Sequence, residues 1–382
     1  MHIPLDYDTL RLVWWVLLGV LLTGFALTDG YDLGVATLLP LVARNDEERR
    51  LTINAIAANW EGHQVWFVLG GGAIFAAWPL VYAVSFSGFY LAMFLVLAAL
   101  ILRPVAFKYR SKHREPAWRS GWDIALFISG LVPALVFGVA VGNVLLGAPF
   151  RFDSDLRMTY AGSLLDLFTP FSLLTGVLSV AMLATHGAAW LAVKIEDGPV
   201  LARARRIALI AAIAEIVLFV IGGVMVAKQG MGMRLIGVID PSGPSNPLDS
   251  GSIAAPGGWL DNFVAHPWML IAPALGLLGP IVALAGIVAR RGAINFAGTA
   301  LAIVGTIATV GLSMFPFILP SSIDPRSSLT VWNASSSHLT LFIMLLVTAV
   351  LLPTVLLYTA WVMKMLAGRI TLAQVRTNPE YD

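Results

Sequence analysis

Asp29, Asp32 and Glu61 are three carboxylates set in long apolar surroundings, with His63 two residues after Glu61 and Arg103 at the end of a later apolar run. Two short motifs hold them: Thr28-Asp29-Gly30-Tyr31-Asp32-Leu33-Gly34 and Trp60-Glu61-Gly62-His63-Gln64-Val65-Trp66. Carboxylates are costly at membrane depth, so such a group is a candidate functional site by default. The chemistry it fits is proton handling. Desolvation favours the neutral acid and a nearby guanidinium favours the ionised one, so the mixture can poise a carboxyl to exchange a proton. A structural network, in which Arg103 neutralises one acid and the rest cap helix ends, is the other reading of the same spacing.

The elements that must position these residues are membrane helices. The chain of 382 residues is 58% hydrophobic and 12% charged, about half the charge of an ordinary soluble domain, which is roughly 25%. A net charge of +2 gives no sign of nucleic-acid binding. The absence of cysteine excludes disulfides, thiolate metal sites, iron–sulfur clusters and cysteine nucleophiles. The N-terminal residues are acidic and no cleavage pattern follows the first apolar run, so the first span is expected to stay in the protein.

A crossing helix needs about 20 mainly apolar residues. Nine segments qualify, at about 12–42, 61–78, 80–102, 122–146, 163–189, 207–227, 266–289, 293–316 and 338–363. The first is long for one crossing and is expected to bend or run on near Gly30 and Gly34. The fold class expected is therefore an all-α integral membrane protein, one polytopic domain over 1–382. The polar stretch at 229–258, rich in Gly, Pro and Ser, reads as an irregular loop. Gly70-Gly71-Gly72, inside an apolar span, reads as a helix-packing site.

Of the 24 Lys and Arg, six (Arg11, Arg151, Arg157, Lys228, Arg234 and Arg326) fall on one set of alternate loops, and all the others on the opposite set. Basic residues concentrate on cytoplasmic loops. This places the N-terminus outside, the C-terminus in the cytoplasm and 229–258 outside. Asp29 then lies about 25 Å into the first helix, at about 1.5 Å per residue, and Asp32 lies nearly one turn further on the same face. Glu61 and His63 begin the second span and Arg103 ends the third, all at the cytoplasmic level. If the three helices are neighbours, the five side chains form one polar cluster.

Other polar groups have plainer readings. Glu215 is the deepest acid and suits either a relay or a buried pair. Asp166 reads as a helix-end acid in water. Of the histidines, His2 and His113 lie in polar flanks, His266 and His338 at helix starts, and only His63 and His186 at membrane depth. Two lone histidines leave a shared haem open, beside the reading in which each is simply satisfied by neighbours.

The motifs in order resemble a known family. They are Trp14-Trp15, Gly24-Phe25-Ala26-Leu27 running into Thr28–Gly34, Arg44-Asn45-Asp46-Glu47-Glu48-Arg49-Arg50, Asn59 through Trp66, Phe75-Ala76-Ala77-Trp78-Pro79, Phe86-Ser87-Gly88-Phe89-Tyr90 and Arg103-Pro104-Val105. Late in the chain come Met314-Phe315-Pro316-Phe317, Pro320-Ser321-Ser322, and Ser328-Leu329-Thr330 through Ser336 to Leu341. Over essentially its whole length the chain resembles subunit II of cytochrome bd-type quinol oxidases.

The resemblance implies nine helices, as two four-helix bundles plus one extra, paired with a subunit I in the bacterial cytoplasmic membrane. It implies a complex that oxidises quinol and reduces dioxygen to water. In it subunit I carries haems b and d, and this chain is haem-free, with no catalytic residue and no metal of its own. It implies a cytoplasmic proton path through Asp29, Asp32, Glu61, His63 and Arg103, and in some members a dioxygen route near Trp66. A quinone as structural lipid and a small single-span accessory subunit also occur among its implications. Lys108 stands where some members have an acid, and Asn333 where some have Asp; His186 and Glu215 match no family residue of known role. A proton-coupled secondary transporter is the alternative from another class, although no pair of broken helices in matching half-repeats supports it.

Overall fold

The computed structural model describes residues 3–237, 240–249 and 251–377; His2 lies outside them. Thirteen α-helices follow in order among these residues: α1 (Tyr7–Val42), α2 (Asp46–Ala57), α3 (Trp60–Ala77), α4 (Pro79–Gly88), α5 (Tyr90–Tyr109), α6 (Pro116–Leu146), α7 (Pro170–Lys194), α8 (Pro199–Lys228), α9 (Asp261–Ala265), α10 (Ile271–Val288), α11 (Gly292–Met314), α12 (His338–Met365) and α13 (Leu372–Thr377). Eight helical segments among the described residues have the length and apolarity to cross a membrane: those at α1, α5, α6, α7, α8, α10, α11 and α12. The second expected span coincides with the 18-residue α3, which is not one of the eight. Its opening Trp60-Glu61-Gly62-His63-Gln64 is too polar for it to join that set.

Several boundaries differ from the sequence expectation. Helix α1 runs unbroken for 36 residues through Gly30 and Gly34. The expected 80–102 span is two helices, α4 and α5, parted at Phe89. There Gly88 admits the Tyr160 ring so closely that a Cβ on Gly88 would sit 2.5 Å from it. The fifth span starts at Pro170 rather than 163, because Thr169 caps it by accepting from the Ser172 N–H at 3.1 Å. Helix α8 starts at Pro199, so Arg203, Arg205 and Arg206 ride on its first turns instead of in a loop. Arg11, counted with the outer loops, is fully buried within α1. The stretch at 229–258 is not wholly irregular: Met233–Leu235 and Ser252–Ala254 pair as antiparallel strands β3 and β4. Two similar ribbons, β1–β2 (Phe150–Phe152 with Met158–Tyr160) and β5–β6 (Phe317–Leu319 with Leu329–Thr330), complete the strands.

Helix α1 is the hub. It packs on α3, α6, α7, α8, α11 and α12, and α10 packs along α11. Without a hydrophobic drive between helices in lipid, close association needs small residues where backbones meet. A Cβ on Gly34 would lie 1.9 Å from the Leu183 carbonyl oxygen, one on Gly187 2.5 Å from Gly34 C, and one on Gly130 2.5 Å from Leu33 O. These three glycines make tight backbone contacts around α1, as Gly279, Gly298 and Gly305 do between α10 and α11; Gly70-Gly71-Gly72 do not. Gly71 and Gly72 have open space beside them, and Gly70 meets only Leu22, at 3.8 Å.

At the expected cytoplasmic end, ion pairs tie the helix ends together. Asp123 pairs with Arg49 (2.8 Å) and Arg110 (2.6 Å), Asp46 with Arg110 (3.0 Å) and Arg119, and Glu47 with Arg376 (2.7 Å). In α2, Asn45 caps the helix by accepting from the Glu48 N–H at 2.9 Å. The Glu48 carboxylate accepts from Arg203 at 2.6 Å and from the Arg44 N–H at 2.7 Å. Partial burial pushes its pKa up, but Arg203 and these backbone donors outweigh that and hold it below the usual carboxylate range. A depressed carboxylate contributes stability that is full above its unfolded value, about 4.3, and is lost as pH falls through the folded one. Glu48→Gln is therefore expected to lower the melting temperature at neutral pH and to flatten its fall toward acid. Thermal melts of the two proteins across that range check it.

Candidate functional site

Helix geometry puts Asp29 and Asp32 nearly one turn apart on α1, and the structure sends them to different partners. Arg103 Nη1, on α5, donates to Asp29 Oδ1 at 2.5 Å, with both side chains fully buried. His63, on the first turn of α3, brings Nδ1 to 2.6 Å from Asp32 Oδ2. With Nδ1–H donating to that carboxylate, Nε2 is left to accept from the Tyr31 hydroxyl, 3.1 Å away. Four of the five expected residues thus form one buried cluster across α1, α3 and α5.

Glu61 stands apart. It is exposed, on the same α3 stripe as the exposed Val65, Val68 and Phe75, and the structure gives it no bond to the other four. The alternation of faces explains this: two positions along a helix from His63, Glu61 is turned well away from α1.

The cluster is incompletely satisfied among the described protein groups. Asp29 Oδ2, Asp32 Oδ1, Arg103 Nε and Arg103 Nη2 are buried with no hydrogen-bond partner. Buried polar atoms of this kind are uncommon in folded proteins and call for an explanation such as water or a functional role.

Tyr31 was missed as a site residue, although it lies between the two aspartates. Its ring stacks on Trp190 at 4.1 Å and meets His63 edge-on at 5.1 Å. Trp190 is held by its indole N–H donating to Ala55 O at 2.8 Å. His186, on α7, also meets the Tyr31 ring, with centroids 5.9 Å apart. Its Nε2 is 3.0 Å from Leu27 O and its Nδ1 is 2.8 Å from Thr299 Oγ1. Every ring nitrogen of His63 and His186 is therefore engaged by a protein group, in keeping with the reading in which each histidine is satisfied by its neighbours.

Trp66 is buried, its indole nitrogen without a partner, and its ring lies over Gly24, where a Cβ would meet it at 2.5 Å. Glu215 is buried with neither carboxyl oxygen bonded among the described residues, so it is not a member of a buried ion pair there. Asp166 is an exposed acid in a short 3-10 turn, accepting from Ser163 at 2.8 Å. Lys108 is exposed, and Asn333 accepts from the Thr330 N–H at 2.7 Å.

Three comparisons bear on this arrangement. The profile of a family described as cytochrome bd terminal oxidase subunit II matches residues 10–366. The chain is 47% identical over 366 residues to a "Probable cytochrome oxidase subunit 2" of Haemophilus influenzae, spanning 96% of each chain. It is 46% identical over 374 residues to a "Cytochrome bd-I ubiquinol oxidase subunit 2" of Escherichia coli K12, spanning 98% of each. Among solved structures, a chain of the bd oxidase from Geobacillus thermodenitrificans is similar with a TM-score of 0.64 at 14% identity, over 94% of this chain and 98% of that one. That last likeness concerns the fold alone.

Proposed function

This chain belongs to the cytochrome bd terminal oxidase subunit II family, and from that premise we propose that it carries protons from the cytoplasm toward the oxygen-reducing centre of subunit I. The family makes it a multi-pass protein of the bacterial cytoplasmic membrane and one subunit of a quinol-oxidising complex, paired with subunit I. That membership sets aside the transporter alternative. In our reading the chain spans the membrane nine times, α3 included, as one domain, with the N-terminus outside and the C-terminus in the cytoplasm. The haems b and d reside in subunit I, and this chain contributes no catalytic residue.

The observation that carries the reading is the buried Tyr31–His63–Asp32 chain beside the Asp29–Arg103 pair. A proton arriving at His63 Nε2 makes the ring a double donor. Release of the Nδ1 proton to Asp32 then leaves the histidine neutral, with its donor and acceptor sides exchanged. Arg103 offsets one of the two buried negative charges, so the site is not asked to hold both acids without a counter-ion. Glu61, exposed on α3, is the member placed to exchange protons with a surface outside this chain. Buried Trp66 over Gly24 would line a dioxygen route, and quinone as structural lipid would lie on the outer helix faces.

Asp29→Asn, Asp32→Asn and Glu61→Gln in the assembled complex are expected to slow quinol-dependent oxygen uptake at least about tenfold, since positioned acid–base groups contribute roughly 10²–10⁴. Haem content should stay near that of the parent in Asp32→Asn and Glu61→Gln, while Asp29→Asn, which leaves the buried Arg103 unpaired, is compared per haem. Oxygen uptake and vesicle proton uptake both unchanged in all three variants would refute the path.

A further inference from the structure

We propose that His186 is a second proton-holding group, sharing one proton with the Asp32–His63 pair; this rests on the proton-path reading above. Leu27 O can only accept, so His186 Nε2, at 3.0 Å, carries a hydrogen. The other nitrogen faces Thr299 Oγ1, a hydroxyl that can donate or accept. Thr299 Oγ1 also lies 2.9 Å from Phe296 O.

Two complete arrangements follow. In the neutral imidazole, the Thr299 hydroxyl donates to Nδ1. In the imidazolium, Nδ1–H donates to Thr299 Oγ1 and the hydroxyl turns to Phe296 O. Only one hydroxyl rotates, and no heavy atom moves. The Phe296 ring, stacked on His186 at 4.8 Å and 23°, presents a π-face to the cationic form. A histidine serving packing alone needs one such arrangement; this one has two.

Charge balance links it to the cluster. Asp29 and Asp32, counted as ionised against Arg103, leave one negative charge in a buried setting. A single proton, on either histidine, cancels it; a second would create excess positive charge, and like charges disfavour each other. The Tyr31 ring meets both, with centroids 5.1 Å from His63 and 5.9 Å from His186. On the elements packed against α7, the buried titratable and charged groups are Arg11, Asp29, Tyr31 and Asp32 on α1, Glu48 on α2, Asp123 on α6 and Glu215 on α8. Arg11, Glu48 and Asp123 are engaged by partners of their own, α11 presents the neutral Thr299 and Asn295, and α3 and α5 bring His63 and Arg103 to α1. Gly34 and Gly187 let α7 approach closely enough to bring His186 beside Tyr31.

The test uses the assembled oxidase complex, with turnover measured across about pH 6 to 8, where histidine titrates, and infrared spectra edited by ¹⁵N-histidine. His186→Gln should remove one imidazolium signal and displace the turnover profile by about one pH unit, a tenfold change in proton concentration. Thr299→Val, which withdraws the rotating hydroxyl at constant volume, should displace it likewise, and Thr299→Ser should restore the parent profile. If His186→Gln does not assemble, the Val and Ser pair decides. Parent-like profiles and spectra in His186→Gln and Thr299→Val would overturn the proposal. If Asp32→Asn still stops turnover in that case, the proton path stands without His186. Unchanged turnover in Asp29→Asn, Asp32→Asn and Glu61→Gln would instead bring down the path itself.

Discussion

Arg103→Ala is expected to reduce accumulation of the folded complex. Arg103 and Asp29 are both fully buried and meet at 2.5 Å. Removing one partner of such a pair leaves a bare charge in a low-dielectric interior and costs roughly 3–5 kcal/mol. Against a total stability of about 5–15 kcal/mol, that is a large enough fraction to cut the yield sharply in a membrane where degradation competes with assembly. The loss comes from the orphaned carboxylate more than from the missing guanidinium, so the companion change is informative. Arg103→Ala combined with Asp29→Asn should recover much of the yield, because the remaining amide carries no charge. Neither form should recover proton uptake. Detergent-extracted yield, haem content and melting temperature of the two variants measure this. A stable, haem-loaded Arg103→Ala protein would show that water, not Arg103, balances Asp29.

Gly34→Ala should be nearly as damaging, through geometry alone. The added methyl would lie 1.9 Å from Leu183 O, 2.8 Å from Leu183 C and 2.9 Å from Gly187 N. All three are backbone atoms of α7 and none can rotate away. The helices must part by more than an ångström, and overpacking of this kind costs typically about 1–3 kcal/mol and occasionally more. The separation would also draw Tyr31 off Trp190 and His186. We therefore expect a lower melting temperature together with reduced turnover in whatever complex survives. Gly223→Ala, on α8 with nothing within 4 Å of the new methyl, is the matched control and should be neutral or slightly stabilising, since alanine favours helix over glycine by about 1 kcal/mol. Equal behaviour of the two variants would mean that the α1–α7 contact tolerates separation.

Composition and charge pattern carried much of this molecule's reading. Long apolar runs mark the membrane helices because no other segment can satisfy its backbone in lipid. The depth of Asp29, Asp32, His63 and Arg103 follows from counting residues at a fixed rise. Their belonging to one family follows from motifs recurring in order. Helix ends were less legible. Arg203, Arg205 and Arg206 looked like loop charges, yet long basic side chains can ride on a helix while their heads reach the water.

Partner choice was not in the sequence. The spacing of Asp29 and Asp32 says they share a face of α1, but not that one meets Arg103 and the other His63. That depends on which helices flank α1 and at what rotation, set by backbone contacts at Gly34, Gly130 and Gly187. The same packing turned Glu61 outward while burying His63 two residues later, and it brought His186 beside Tyr31 from 155 positions away in the chain. Local pattern determines which residues are expected at membrane depth, because depth is a one-dimensional property of a helix. Which of them touch was decided by tertiary structure, because contact depends on how separate helices rotate against one another.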